Sequence, residues 1–220
     1  AGTDTIEFIG NLIRSDVLST RVGDDLTLTI TATGESIAVK NHFTDMYARM
    51  ETFKFSDGAI FTASEIEANA IAALSTSGDD VIGGGPNDDI LDGGEGNDTL
   101  RGGDGNDTYV FGLGYGHDII DEDTGTWGEL DDVVVFKSDV AIADVELGRT
   151  GNDLTLTISG TSDQLTIKDQ FRSADSGGIL GINRIEHFVF ADGTTWTADD
   201  VDLRVLQESQ TTGNDTVIGY

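Results

Sequence analysis

The sequence predicts an all-β protein in which a central parallel coil of short strands is flanked by two related antiparallel β-modules, each ending in a short helix. Three observations lead to this prediction. A long stretch of the chain occurs twice, apolar and polar residues alternate within each copy, and a nonapeptide rich in glycine and aspartate repeats between the copies. Repetition of this kind is typical of folds built from copied structural units.

The two copies define the organisation of the chain. Residues 4–43 align without a gap to residues 132–171, and after a seven-residue insertion in the second copy, residues 50–66 align to 185–201. Of these 57 paired positions 22 are identical, which indicates an internal duplication. We therefore predict four units: β-module A (1–77), the coil (78–129), β-module B (130–212) and the start of a further repeat (213–220).

Strands and a closing helix are expected in each module. The sequence DLTLTI occurs at residues 25–30 and again at 153–158, and it alternates leucine or isoleucine with threonine. Alternation with a period of two and many β-branched residues is typical of a half-buried strand. A threonine followed three positions later by an acidic residue predicts the start of a helix near the end of each module, at Thr62 and Glu65 and at Thr197 and Asp200.

Between the modules the chain follows the template GGxGxDxUx, in which U is a large apolar residue. Aspartate fills the sixth position throughout, with a two-residue slip before the last copy: Asp80, Asp89, Asp98, Asp107 and Asp118. The apolar eighth positions are Ile82, Leu91, Leu100, Tyr109 and Ile120. If two glycine-rich turns and two short strands complete one turn of a coil, repeats 18 residues apart stack. Asp80 then lies over Asp98, and Asp89 over Asp107.

Stacked carboxylates predict a cation site. The chain has 41 acidic residues against 12 basic ones, and it has no cysteine, which excludes disulfides and thiolate ligands. Carboxylate and carbonyl oxygens suit Ca²⁺ better than Mg²⁺, because Mg²⁺ demands octahedral geometry and dehydrates reluctantly. Since the carboxylates would otherwise repel, we expect calcium binding to supply folding energy. The negative charge argues against nucleic acid as a partner, and no apolar stretch is long enough for membrane insertion.

This block resembles the RTX, or haemolysin-type, calcium-binding repeat family, whose nonapeptide forms a parallel β-roll. The resemblance implies at least two calcium ions, each held by backbone oxygens and an aspartate from two stacked repeats. The first implied site is Thr76, Gly78 and Asp80 with Gly93, Glu95 and Asp98. The second implied site is Gly85, Asn87 and Asp89 with Gly102, Asp104 and Asp107. A third would join Gly94, Gly96 and Asp98 to Asp118, with its register disturbed by the slip at Phe111-Gly112.

The modules resemble the haemolysin-type calcium-binding protein related domain, through the segments DLTLTI, IKDQF and FVFADGTTWTADDV. This resemblance implies association with RTX repeats and no defined activity. It implies a parent protein that leaves the cell unfolded by type I secretion and folds in extracellular calcium, either secreted or at the cell surface. Residues 213–219 begin the motif again, so neighbouring RTX repeats of the same parent chain are expected partners.

The predicted function is that of a calcium-binding structural segment, which folds and rigidifies an extracellular protein such as a surface or biofilm adhesin. We expect no enzymatic activity, because no GxSxG nucleophile motif occurs and His42, His117 and His187 lack zinc-ligand spacing. Two alternatives stay open. The segment could be a calcium-dependent carbohydrate-binding module, or the accessory C-terminal region of a secreted lipase, protease or epimerase.

Four basic residues occupy equivalent positions in the two modules: Arg21 and Arg149, and Lys40 and Lys168. Basic residues are scarce in this chain, so their repeated placement is informative. We expect each to pair with a nearby aspartate on a strand face, and contact with an extracellular polysaccharide or another polyanion is the alternative. The equivalent aromatic residues Phe61 and Trp196 are expected in the core and not on a sugar-stacking surface.

Overall fold

The computed structural model describes residues 3–45, 47–122, 131–172 and 184–208. Within these ranges the chain forms seventeen β-strands and two α-helices, which confirms the all-β prediction. Neither helix in the described ranges is long and apolar enough to cross a membrane. The predicted further repeat at 213–220 lies outside the described residues.

The elements follow one another in the order of the sequence units. The strands of module A are β1 (Thr5–Glu7), β2 (Val17–Val22), β3 (Asp25–Ile30), β4 (Ser36–Val39), β5 (Thr52–Lys54) and β6 (Ile60–Thr62), followed by helix α1 (Ala63–Ala72). The coil contains β7 (Val81–Gly85), β8 (Ile90–Asp92), β9 (Thr99–Gly103), β10 (Thr108–Phe111) and β11 (His117–Ile120). Module B contains β12 (Val133–Phe136), β13 (Val145–Thr150), β14 (Asp153–Ile158), β15 (Gln164–Ile167), β16 (His187–Val189) and β17 (Thr195–Thr197), followed by helix α2 (Ala198–Glu208).

Strands of the coil pair in parallel with the strand one full turn away. Ile82 of β7 lies opposite Leu100 of β9, and Ile120 of β11 lies opposite the same Leu100 on its other side. Leu91 of β8 lies opposite Tyr109 of β10 in the second sheet. The two extra residues after Phe111 are therefore accommodated in the turn, and the strand register that the slip was expected to disturb is kept.

Both sheets of the coil continue into module B. One six-stranded sheet runs in the order β13-β14-β15-β11-β9-β7, and one five-stranded sheet in the order β17-β16-β12-β10-β8. The prediction that both modules are antiparallel is wrong in part, since β12 pairs with β16 in parallel, and so does β1 with β5 in module A. At the junction with the coil, β15 also pairs in parallel with β11. The reason is that the parallel pairing of the coil continues past its last repeat. Strands β12 and β15 of the module lie where the next two coil strands would lie. The unit boundary at 129/130 stays a prediction about sequence units.

The inward side chains form one continuous core between the two sheets. The five apolar eighth-position residues of the coil are all buried, and so are Val134 and Phe188, which continue that row into module B. Trp196 is buried, as expected, and Phe61 is partly buried against the core of module A. Because each turn of the coil contributes few apolar residues, its stability depends on this continuity with module B.

Module A repeats the geometry of module B with separate sheets, β1-β5-β6 and β2-β3-β4. Phe8 stacks on Phe55 with ring centroids 4.7 Å apart, and the equivalent Phe136 stacks on Phe190 at 4.6 Å. The capping box predicted for α1 is present, because Thr62 Oγ1 accepts the Glu65 N–H and the Glu65 carboxylate accepts the Thr62 N–H. The internal duplication is thus a duplication of tertiary structure.

An ion-pair cluster attaches α1 to the loop between β4 and β5 of module A. The Glu67 carboxylate accepts two hydrogen bonds from Arg49, each 2.7 Å, and lies 3.0 Å from His42 Nε2. Burial raises the pKa of Glu67, but the bonds from Arg49 and His42 outweigh it and lower the pKa to about 2. In module B, Arg184 pairs with Asp202 at the equivalent positions.

Candidate metal centre

Aspartates of stacked repeats are joined by one recurring hydrogen bond. The backbone N–H of Asp80 donates to Asp98 Oδ1 at 2.8 Å, and the N–H of Asp98 donates to Asp118 Oδ1 at 2.9 Å. In the second row, the Asp89 N–H donates to Asp107 Oδ1 at 2.8 Å. The structure therefore brings together each pair of aspartates that the 18-residue spacing predicted, and it also pairs Asp98 with Asp118 across the slip.

In the three acceptor aspartates, the second carboxylate oxygen has no partner among the described residues. The Oδ2 atoms of Asp98, Asp107 and Asp118 are buried and accept no hydrogen bond, and the same holds for Oδ1 of Asp104. Each of the three aspartates is at most 1% exposed. Burying a carboxylate oxygen without a hydrogen bond costs folding free energy, so this row of oxygens indicates a cation-binding site.

Glycine keeps the turns open around these oxygens. A methyl group on Gly93 would lie less than 3.0 Å from Asp98 Oδ2, and one on Gly102 would lie equally close to Asp107 Oδ2. At Gly96, where φ is 142°, a side chain would collide with the Gly78 carbonyl. The space that side chains would occupy is instead lined by carbonyl and carboxylate oxygens, which are the donors that Ca²⁺ prefers.

The remaining predicted ligands lie in the same turns. Thr76 O and Gly78 O face Gly94 and Gly96 of the repeat above. In the second site, the Gly85 carbonyl lies beside Gly103 and accepts the Asp104 N–H at 3.0 Å, and the Asn87 carbonyl lies beside Gly105. The Glu95 side chain is exposed, which is compatible with the prediction because only its backbone oxygen is expected to bind the ion. The identity of these residues as ligands stays a prediction.

Among the described residues no three Asp, Glu or His side chains form a metal site by themselves. A cation between two stacked turns would therefore rely on backbone carbonyls for much of its coordination. This donor set of carbonyls with two carboxylates fits a hard cation with many oxygen ligands. It suits zinc poorly, because structural zinc sites are four-coordinate and built mainly from cysteine and histidine.

The carboxylates perturb one another electrostatically. Burial, together with the negative charges of Asp132, Glu122 and Asp89, raises the pKa of Asp107 to about 8. Burial and the charge of Asp98 raise the pKa of Asp118 to about 7. In the absence of a cation these groups hold protons near neutral pH, so a bound cation must displace them.

Both rows of acceptors extend beyond the nonapeptides, which the sequence analysis missed. Asp132 Oδ1 accepts the Asp107 N–H at 2.8 Å, and Glu186 Oε2 accepts the Asp132 N–H at 2.9 Å. In the other row, Asp163 accepts the N–H groups of Gly114 and Gly116 at 2.9 and 3.0 Å. The signal was present for Asp132, since it and Val134 fit the sixth and eighth positions of the repeat.

Glu122 is a further carboxylate that the sequence analysis did not single out. It is buried beside the second predicted site, and its oxygens accept the N–H groups of Gly102 and Gly103. Burial raises its pKa to about 7, and the charge of Asp132 contributes. Glu122 therefore adds negative charge to the region around Asp107. No sequence signal distinguishes it, because it lies after the last repeat.

Two of the basic residues behave differently from one another. Lys40 pairs with Asp25 at 2.5 Å, as expected for a strand-face ion pair. For Arg21 the expectation is wrong: its guanidinium donates to the carbonyls of Gly83 (2.6 Å) and Gly84 and lies 4.4 Å from the ring of Phe43. The reason is that the first coil strand, which follows α1, brings the carbonyls of Gly83 and Gly84 within reach of the Arg21 side chain.

Comparisons with known proteins identify families that match both the coil and the two modules. The model of the RTX calcium-binding nonapeptide repeat (four copies) matches residues 75–109 and 83–117. The model of the haemolysin-type calcium-binding protein related domain matches residues 25–65 and 153–200. Among solved structures, the chain is similar to the extracellular lipase LipA from Serratia marcescens, at 18% identity and a TM-score of 0.28. That alignment covers 76% of this chain and 30% of the lipase.

Proposed function

Because this chain is an RTX calcium-binding repeat protein, we propose that it is a calcium-dependent folding segment of a secreted protein and that its coil is a parallel β-roll. The observation that carries the proposal is the row of buried Oδ2 atoms without partners at Asp98, Asp107 and Asp118. A stack of ionised carboxylates at this burial is unstable alone, and calcium supplies the missing charge and coordination.

The proposed ligands are those that the resemblance to the RTX family implies for the three sites. Asp98 contributes to the first and third sites, and Asp107 contributes to the second. The backbone N–H groups of the aspartates fix one oxygen of each carboxylate, which leaves the other oriented toward the glycine turn. Calcium, when bound, supplies the folding energy that the short apolar row of the coil lacks.

Calcium-dependent folding has a consequence for the parent protein. Cytosolic calcium is too low to fill sites of the weak extracellular class, so the chain would stay unfolded until export and then fold outside the cell. We therefore propose an extracellular or cell-surface location after type I secretion. A role in a surface or biofilm adhesin is one use of a segment that becomes rigid on calcium binding.

The carbohydrate-binding alternative gains no support from Lys40 or Trp196, whereas Lys168 is exposed and forms no ion pair with a described residue. Lys40 is engaged by Asp25, and Trp196 is 4% exposed with Arg204 stacked 4.2 Å from its ring. The alternative of an accessory region in a secreted enzyme concerns the parent protein, of which this chain would be a part. We propose a structural role and no enzymatic activity for the segment itself.

A calcium titration of the EDTA-treated chain tests the proposal, with circular dichroism and calorimetry as readouts and magnesium as the control. We expect β-structure and thermal stability to rise together as calcium binds, and to stay unchanged with magnesium. Asp98→Ala should lower the number of bound ions by two, because this residue belongs to two proposed sites. An equal response to both metals, or no bound ion, contradicts the proposal.

A further inference from the structure

We propose that module A carries a docking face for the last turn of another nonapeptide coil, placed ahead of residue 4 in the same polypeptide. The face, called here the open end, consists of the free edges of β1 and β4 and the cleft between them. The inference rests on the duplication of tertiary structure described above.

The same two strand edges are occupied in module B. The equivalents of β1 and β4 are β12 and β15, and these pair in parallel with the coil strands β10 and β11. In module A, among the described residues, β1 pairs only with β5 and β4 only with β3. One copy of the module thus shows the occupied face, and the other copy shows the same face without an occupant.

Exposed apolar surface follows from this difference. Ile37 on β4 is 51% exposed, whereas the equivalent Leu165 on β15 is 1% exposed. Between β1 and β4 lies an open cleft of about 300 Å³. Its apolar lining includes Ile6, Phe8, Ile9, Leu28, Ile30 and Ile37. An apolar cleft between two free strand edges is a typical site for the addition of further strands.

Polar groups at the open end match those that receive the coil in module B. The Asp4 N–H donates to Glu51 at 2.7 Å, as the Asp132 N–H donates to Glu186, and the Asp4 side chain is exposed. In module B, Asp132 Oδ1 receives the N–H of an incoming aspartate. Glu35 is exposed at the position equivalent to Asp163, which receives two glycine N–H groups of the coil.

These features specify a nonapeptide coil as the occupant. By analogy with module B, the free edges of β1 and β4 would pair with parallel strands. The carboxylates of Asp4 and Glu35 would accept backbone N–H groups from an aspartate and from a glycine turn, respectively. A second copy of this chain is a poor candidate, because the last turn of its coil already lies against its own module B. The source we propose is therefore a coil that precedes module A in the same polypeptide.

The test joins a second copy of residues 75–131 directly ahead of Asp4 in the full chain. Hydrogen–deuterium exchange of residues 36–39 is then compared between the extended and the original chain in saturating calcium. We expect at least about tenfold slower exchange in the extended chain, approaching the rates of residues 164–167. Bound calcium is counted separately, so that a failure of the added repeats to bind metal is distinguished from a failure to dock.

Two matched variants of the extended chain make the test specific. Ile37→Glu should abolish the added protection, because its equivalent in module B is buried. Leu18→Glu should leave the protection unchanged, because Leu18 is 49% exposed and its equivalent in module B is the exposed Glu146. Unchanged exchange at 36–39 in the extended chain would overturn the proposal. So would protection of the original chain that rises with its concentration, since that would identify a second copy as the occupant.

Discussion

Replacing Asp107 by asparagine should change stability in opposite directions with and without calcium. The Asp107 carboxylate is fully buried, and its Oδ1 accepts the Asp89 N–H, while its Oδ2 has no hydrogen-bond partner. Asparagine keeps the shape and the Oδ1 acceptor but removes the charge. It therefore separates the role of the residue as a cation ligand from its role in the hydrogen-bond row.

Without calcium the variant should be the more stable protein. The pKa of Asp107 is raised from 3.8 to about 8 in the fold, mainly by burial. Because the pKa is higher in the folded state, ionisation of this carboxylate opposes folding. The free energy of unfolding therefore falls as pH rises from about 4 to about 8. At pH 7 this cost is at most about 4 kcal/mol, from three pH units at about 1.4 kcal/mol each. Asp107→Asn relieves up to that amount.

With calcium the sign should reverse. A site filled at a calcium concentration about 100 times its dissociation constant contributes about 2.7 kcal/mol, and the variant should lose that contribution for the second site. Asp88→Asn is the control, because Asp88 is exposed and accepts the Asn106 N–H at 2.9 Å. Urea unfolding in calcium measures the second effect, and the folded fraction in EDTA, compared by circular dichroism between the variant and the original chain, measures the first. Equal destabilisation of Asp107→Asn in both conditions would refute the assignment of Asp107 as a ligand.

Three further predictions follow from the same contacts. Calcium affinity should rise from pH 6 to pH 8, because the buried carboxylates have pKa values of about 6 to about 8 and must lose their protons to bind calcium. Calorimetry in two buffers of different ionisation enthalpy should show this proton release, and a binding enthalpy that does not depend on the buffer would contradict it. Gly102→Ala should cost about 1–3 kcal/mol in calcium by collision with Asp107, whereas Gly148→Ala, with no atom nearer than 3.8 Å, should change stability by less than about 1 kcal/mol in urea unfolding. Glu67→Gln should lose about 3 kcal/mol at pH 7 by breaking the buried pair with Arg49. That loss should disappear as pH falls from 4.5 to 2, because the pKa of Glu67 is depressed, and an equal loss at both ends of this range would contradict the pairing.

Much of the site could be predicted because it is built from short-range repetition. The 18-residue spacing alone pairs Asp80 with Asp98 and Asp89 with Asp107, and the glycines between them require the turns that the structure shows. Exclusion of cysteine chemistry and the preference for an oxygen-binding cation also follow from residue types. The strands of the duplicated modules follow from alternation, and their helices follow from the capping residues.

The sequence by itself determined the repeat, the row of aspartates and the duplication, because each depends on residues at fixed local spacing. Only the tertiary structure decided how the units join. It showed that module B continues both sheets of the coil, that Glu186 and Asp163 lengthen the acceptor rows, and that Arg21 binds carbonyls in place of an aspartate. These contacts join residues far apart in the chain, and no local pattern encodes which strand edges meet.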